Sequence, residues 1–190
     1  MCLAIHRAGV GVDAVKQLSP AYFALVMATG IVSVGAWDFE LGALAIGLLV
    51  FNIVAYIAIA MLTILRAIRY PDLFASDITS HRQAPGFFTA VAGSCILGVQ
   101  VLLIAKSLAA ATAFLALGVV LWIALTYTIF TAFTVKREKP SLEQGLTGGW
   151  LIAVVATQSI AVLAALVARS WMQPLSDAMA EGRNPTNEVA

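Results

Sequence analysis

Five long apolar runs constrain the fold of this chain more than any other feature. The runs are residues 20–36, 42–65, 86–105, 112–135 and 148–168. Because a helix needs about 20 apolar residues to cross a hydrocarbon layer of ~30 Å, each run is long enough to span a membrane. Hydrophobic residues make up 61% of the chain and charged residues only 11%, a balance that excludes a soluble domain. We therefore predict an all-α integral membrane protein with five transmembrane helices.

The runs divide the chain into three parts. Residues 1–19 form an N-terminal segment, residues 20–169 form the five-helix transmembrane domain, and residues 170–190 form a polar tail. The tail lacks an apolar run and contains Pro174 and Pro185. We therefore expect it to be disordered or to be the start of a truncated loop.

The basic residues crowd into every second connection between the runs. Eight of the 11 basic residues lie on the side that holds the N-terminus, and the other three lie opposite. The eight are Arg7, Lys16, Arg66, Arg69, Arg82, Lys136, Arg137 and Lys139. Cytoplasmic loops carry the excess of Lys and Arg. This pattern predicts a multi-pass protein of the cell membrane with a cytoplasmic N-terminus.

Polar groups inside the runs are hydroxyls and amides, since no Asp, Glu, Lys or Arg lies there. The amides of Asn52, Gln100 and Gln158 need partners in hydrocarbon, so we expect them to face another helix or water. A pathway lined by such groups can pass a solute without binding it tightly. His6 and His81 lie outside the runs without a paired acid or nucleophile. Nothing indicates catalytic residues, a metal site, a cofactor or nucleic-acid binding, so an enzyme is not expected.

Two segments carry a family resemblance. Residues 18–33 read LSPAYFALVMATGIVS, and residues 81–94 read HRQAPGFFTAVAGS. The first resembles the opening span of the tellurite-resistance/dicarboxylate transporter family, and the second resembles the entry to that family's third span. The family includes tellurite-resistance proteins, malate permeases, sulfite efflux pumps and the slow-type anion channels of plants.

The resemblance implies ten helices in five hairpins, with the odd-numbered helices around a central pore and homotrimers as the common assembly. The five runs cover about half of such a fold, so we expect the N-terminal half, as a truncated frame or a fragment. A natural five-span protein that assembles with a second half is the other possibility. The candidates for lining the pore lie on the odd-numbered runs. They are Thr29, Gly30, Ser33, Ser94, Gln100 and Thr157.

Two hypotheses for function follow. The first is transport of small anions, such as C4-dicarboxylates, sulfite or tellurite-type oxyanions, between the odd-numbered helices. His81 and Arg82 are then candidates for attracting anions at the cytoplasmic mouth, because cations and a helix N-terminus both favour negative charge. The second is a non-transporting membrane module that packs against a partner. Small residues at four-residue spacing on the fifth run fit close helix packing. They are Gly149, Ala153, Thr157, Ala161 and Ala165.

Overall fold

Within residues 18–135 and 148–182, which the structure describes, the protein folds into six α-helices and no strand. The structure is a computed structural model. The helices are α1 (Phe23–Asp38), α2 (Gly42–Arg69), α3 (Pro71–Ile78), α4 (Phe88–Leu103), α5 (Leu108–Val135) and α6 (Leu151–Gly182). Five of them, all except α3, are long and apolar enough to cross a membrane. The prediction of an all-α membrane protein with five spans is confirmed.

Local sequence explains where the spans begin. The hydroxyl of Ser19 accepts a hydrogen bond of 3.3 Å from the Ala21 amide, and Pro20 occupies the first position of the 3₁₀ turn Pro20–Tyr22 that leads into α1. Proline loses no hydrogen bond there, because the first amides of a helix have no partner within it. Equivalent 3₁₀ turns at Ala84–Phe87 and Gly148–Trp150 lead into α4 and α6.

Two tight turns connect helices at one end of the bundle. The Leu41 amide donates to the Ala36 carbonyl (2.9 Å) after α1, and the Ser107 amide donates to the Val101 carbonyl (3.3 Å) after α4. Each turn contains a left-handed residue that is not glycine, Glu40 (φ 62°) or Lys106 (φ 56°). Such bonds satisfy carbonyls that the helix end leaves free, so the chain reverses at once. The prediction places this end outside the cell, and we call it the predicted external end.

Helix α4 forms the centre of the bundle. In the span Ala84–Leu103 that contains α4, 83% of the apolar window is buried, compared with 11% in α2 and in α5. It packs against α1, α2, α5 and α6. Two glycines allow close approach to α5 and α6. A Cβ on Gly98 would lie 2.7 Å from Leu163 Cδ2, and a Cβ on Gly118 would lie 2.6 Å from Cys95 Sγ.

The expectation of a disordered tail or loop was wrong for residues 170–182, because α6 continues to Gly182. Pro174 lies inside the helix and cannot donate a backbone hydrogen bond. Ser176 contributes a local one, from its hydroxyl to the Gln173 carbonyl at 2.8 Å. Polar composition ended the predicted span, but it does not end a helix. The described residues do not include 1–17, 136–147 and 183–190. Most of the predicted N-terminal segment, residues 1–19, therefore lies outside them.

A charged side chain is buried at the end of α2, just outside the predicted run. Arg66, one residue beyond the predicted run, is only 6% exposed and forms an ion pair with Asp77. Asp77 belongs to the short helix α3, which the sequence treated as part of a connection. The pairing is possible because α3 folds back over the end of α2. A buried cation requires such a partner.

The small-residue stripe of the fifth run does not form the main helix contact of α6 in the described part of the chain. Ala161 and Ala165 are exposed, whereas Ala156, Leu163 and Val167 are buried. The reason is that the small residue lies on the partner helix. Leu163 fills the space beside Gly98 of α4, so a large side chain on α6 meets a glycine.

Candidate functional site

An amide cluster lies where α1, α2 and α4 meet. It consists of Asn52 on α2, Gln100 on α4 and the backbone carbonyl of Val26 on α1. The Asn52 Nδ2 group donates one hydrogen bond of 3.1 Å to the Val26 carbonyl and one of 2.5 Å to Gln100 Oε1. Both side chains are completely buried. The prediction that these amides face another helix is confirmed for Asn52 and Gln100.

The hydrogen-bond partners fix the orientation of both amides. The Val26 carbonyl can only accept, so Asn52 must present its Nδ2 group to it. The same Nδ2 group faces Gln100, so Gln100 must present its oxygen. The Gln100 Nε2 group and Asn52 Oδ1 then have no hydrogen-bond partner among the residues that the structure describes. The cluster therefore contains one buried donor group and one buried acceptor that have no described partner.

Gly30 is the residue of α1 that permits this contact. A Cβ at position 30 would overlap Ile96 Cγ2 and would lie 3.2 Å from Asn52 Nδ2 and 3.3 Å from Gln100 Oε1. Any larger side chain would push α1 away from the amides. Glycine at this position therefore reflects close helix approach.

A second polar contact joins α2 and α4 through Tyr56, one turn along α2 from Asn52. The Ser94 hydroxyl donates 2.7 Å to the Ala90 carbonyl, so the Tyr56 hydroxyl is the donor in the 2.8 Å bond between Tyr56 and Ser94. The Tyr56 ring also makes edge contacts with Phe23 of α1 and Phe114 of α5. Tyr56 is thus in contact with three neighbouring helices.

The six candidate pore residues have different surroundings in the described part of the chain. Gly30 and Gln100 meet in the amide cluster, and Ser94 contacts Tyr56. Ser33 is buried and donates 2.9 Å to the Ala45 carbonyl across the α1–α2 hairpin.

The other two candidates are more accessible. Thr29 is half-buried, and Thr157 is exposed on α6. The Thr157 hydroxyl accepts a 3.0 Å bond from the Trp122 indole and donates 3.0 Å to the Ala153 carbonyl. Lining of a pore by these six residues stays a prediction.

The two candidates for attracting anions are in different environments. The His81 ring stacks on Phe133 of α5, with ring centroids 3.9 Å apart and an angle of 11° between the planes. Phe133 in turn contacts Trp150 at the start of α6. Arg82 is exposed. Of the pair, Arg82 is therefore the charge that is open to an approaching ion.

Sequence reasoning left Asn52 and Tyr56 out of the candidate site, because they lie on an even-numbered run. Their four-residue spacing was a usable signal, since residues at i and i+4 share one face of a helix. Nothing in the sequence could indicate the role of the Val26 carbonyl, because every residue has a backbone carbonyl. Within residues 18–135 and 148–182, no three His, Cys, Asp or Glu side chains come together in a way that could hold a metal ion.

Comparisons with known proteins fit this membrane architecture. The family model described as voltage-dependent anion channel (SLAC1) matches residues 17–190. An uncharacterized transporter from Methanocaldococcus jannaschii is 27% identical over 161 residues, which are 82% of this chain and 46% of that protein. The chain therefore spans about half the length of the curated relative that it matches. No solved structure matches the chain.

Proposed function

The chain belongs to the voltage-dependent anion channel family, and from this premise we propose that it forms part of a protein that passes small anions across a membrane. The membership confirms, at family level, the resemblance found in residues 18–33 and 81–94. The proposal extends it to the activity of the complete protein, of which this chain supplies the first five spans. We propose no catalytic step.

The free donor of Gln100 is the observation that carries this proposal. In hydrocarbon an unpaired N–H group costs free energy, so nearly all such groups find partners. The Nε2 group of Gln100 has none among the described residues, although its oxygen is bound. A neutral amide donor can bind an anion or its hydration water without the tight attraction of a buried cation, and rapid passage requires such weak binding.

The arrangement of the odd-numbered spans supports a route near Gln100. Helices α1 and α6 both pack extensively on α4, so the first, third and fifth spans are neighbours. Gln100 lies on the middle one of the three. In our proposal these spans form one part of the wall around the route, and the remainder of the complete protein forms the rest.

Charges at the two ends of the bundle support anions as the transported class. Arg69 and Arg82 are exposed at the predicted cytoplasmic end, while Arg66 is paired with Asp77. Lys106 and Arg169 lie at the other end. Exposed cations raise the local anion concentration at a mouth over about a Debye length, ~10 Å at 0.1 M salt. The proposed substrates are C4-dicarboxylates, sulfite or tellurite-type oxyanions, and the proposed assembly is a homotrimer in the cell membrane.

Flux measurements on the complete protein in liposomes test the proposal. We expect anion flux above that of empty liposomes, and a panel of chloride, sulfite, malate and tellurite identifies the substrate. Arg82→Gln should reduce flux most at low ionic strength, because salt screens an exposed charge, whereas Arg82→Lys should preserve it. A deficit that is the same at all salt concentrations would contradict the role of Arg82, and absence of flux for the whole panel would contradict transport.

The orientation is tested separately. Glu40 and Gln83 are exposed in connections at opposite ends of the bundle. Single cysteines at these positions, in a variant without other accessible thiols, should react differently with an impermeant reagent in intact cells. We expect labelling at position 40 and protection at position 83. The reverse pattern would show that the N-terminus is external.

The alternative, a non-transporting module that packs against a partner, is supported by the exposed small residues of α6. Ala161 and Ala165 leave room for a close helix neighbour. In that case the complete protein would bind its partner normally and show no flux in liposomes. The same flux measurement therefore decides between the two functions.

A further inference from the structure

A cavity of about 310 Å³ lies at the predicted external end, between the α4–α5 turn and α6. Lys106, from the turn, and Arg169, from α6, both line it. The two cations come from distant parts of the chain and are brought to one opening by the packing of α6 on α4. The volume is several times the ~30 Å³ share of one water molecule, so it can hold an oxyanion with some of its hydration.

Neither cation is neutralised among the side chains that the structure describes. Among the described residues the ion pair is Arg66–Asp77, and it lies at the opposite end of the bundle. Lys106 Nζ lies 5.7 Å from the ring centroid of Trp37, a contact that orients the ammonium group without removing its charge. The cavity therefore has two positive charges and no described carboxylate in its lining.

The polar neighbours of the two cations complete the polar side of the cavity. Ser170 donates its hydroxyl to the Leu166 carbonyl at 3.0 Å, so it is not available as a donor to a ligand. Gln173 also lines the cavity and is exposed, so its amide can donate to an oxyanion. Three residues with donor side chains, two of them charged, thus belong to the lining of one cavity.

The other side of the cavity is apolar. Leu103, Leu108 and Leu166 belong to its lining. The rise of 1.5 Å per residue along a helix puts Arg169 about 29 Å from Trp150 along α6, close to the ~30 Å thickness of the hydrocarbon layer. The exposed ring of Trp171 lies two residues further on, as expected at a membrane interface. The cavity therefore combines cations at headgroup depth with leucines beside them.

We propose that this cavity binds a phosphate-type oxyanion between Lys106 and Arg169. The leucines favour the phosphate group of an anionic phospholipid as its source, and inorganic phosphate from solution has the same chemistry. Ligand binding at this cavity is measured without anion flux, so this proposal can be tested independently of the proposed transport. Both cations would attract the phosphate mainly through their charge, and the guanidinium of Arg169 could also match two phosphate oxygens.

Lipid binding to the complete protein tests the site. The protein is stripped of lipid in a neutral detergent, and binding of phosphatidylglycerol and phosphatidylcholine is measured by native mass spectrometry. We expect preferential binding of phosphatidylglycerol, weakened roughly five-fold by Lys106→Gln or by Arg169→Gln, since one basic residue contributes about that factor near a membrane surface. Arg169→Lys should retain most of the binding. Arg69→Gln, which removes an exposed charge at the opposite end, is the matched control.

A second arm distinguishes the two sources of phosphate. Inorganic phosphate is titrated into the same detergent solution by calorimetry, at constant ionic strength. Phosphate binding that both Gln variants weaken would identify a free oxyanion as the ligand. Binding of phosphatidylglycerol alone, with the same sensitivity, would identify the lipid. Equal binding of both ligands by the natural protein and the two Gln variants, with unchanged gel-filtration profiles, would overturn the proposal.

Discussion

Helix α4 contacts its neighbours in two different ways. On the side of α1 and α2 the contacts include side-chain hydrogen bonds, from Asn52 to Gln100 and from Tyr56 to Ser94, beside apolar contacts of α4 with Leu49 of α2. On the side of α5 and α6 the contacts are apolar, and they bring Cys95, Val99 and Leu102 of α4 together with residues of both helices. The polar side depends on hydrogen-bond partners, and the apolar side depends on fit.

The difference follows from the solvent of a membrane protein. Lipid tails are as apolar as leucine, so apolar side chains gain little from leaving lipid, and close packing must hold the helices together. Gly98 and Gly118 provide that closeness on the apolar side. On the polar side a hydrogen bond fixes the rotation of each helix, because only one orientation of α2 and α4 brings Asn52 to Gln100. One side therefore supplies close packing, and the other supplies specificity.

The largest expected effect of a substitution lies on the apolar side. Gly98→Leu places a large side chain where even a Cβ would be 2.7 Å from Leu163 and 3.0 Å from Phe114. Such overpacking costs about 3 kcal/mol, the upper part of the usual range. The free energy of unfolding of the complete protein in mixed micelles measures it. Gly47→Leu is the control, since nothing lies within 4 Å of a Cβ at that position. Equal losses for the two variants would contradict close packing at Gly98.

A smaller effect is expected on the polar side, and a double-mutant cycle isolates it. We expect Asn52→Leu and Gln100→Leu to interact with a coupling energy of about 1 kcal/mol, within the range found for hydrogen bonds between membrane helices. The reference is the hydrogen bond between Trp122 and Thr157, because Thr157 is exposed. A cycle with Trp122→Phe and Thr157→Val should give a coupling near zero. Equal coupling energies in the two cycles would contradict the claim that the buried hydrogen bond is the stronger one.

The sequence could predict the spans but not their rotation. Hydrophobicity over about 20 residues determines whether a helix crosses the membrane, so the number of spans could be predicted, although α6 continues 14 residues beyond the predicted run. The pairing of Asn52 with Gln100 joins residues 48 positions apart, and an apolar run does not specify which face of a helix meets which neighbour. For that reason the stripe at Ala161 did not identify the contact that α6 makes within the described part of the chain. The contact face is marked by Leu163, a residue that resembles any other leucine in a span.

The candidate site could be predicted only in part for a similar reason. Gly30 and Gln100 were selected because they lie on odd-numbered spans; Gln100 belongs to the amide cluster, and Gly30 lies beside it. Asn52 was polar and visible, but its role depends on the packing of α2 against α4. The buried pair of Arg66 and Asp77 required knowledge that α3 folds back, which the loop composition does not contain.

Flux through the complete protein with Gln100→Leu, compared with Asn52→Leu, tests the central claim most directly. Both substitutions remove the same hydrogen bond between α2 and α4, but only Gln100→Leu removes the free Nε2 donor. A hydrogen bond to a charged group contributes about 1.5–3 kcal/mol, so we expect Gln100→Leu to reduce anion flux at least ten-fold more than Asn52→Leu. Flux is normalised to the protein inserted in liposomes. Equal flux in the two variants would contradict a role for Gln100 in the passage of anions.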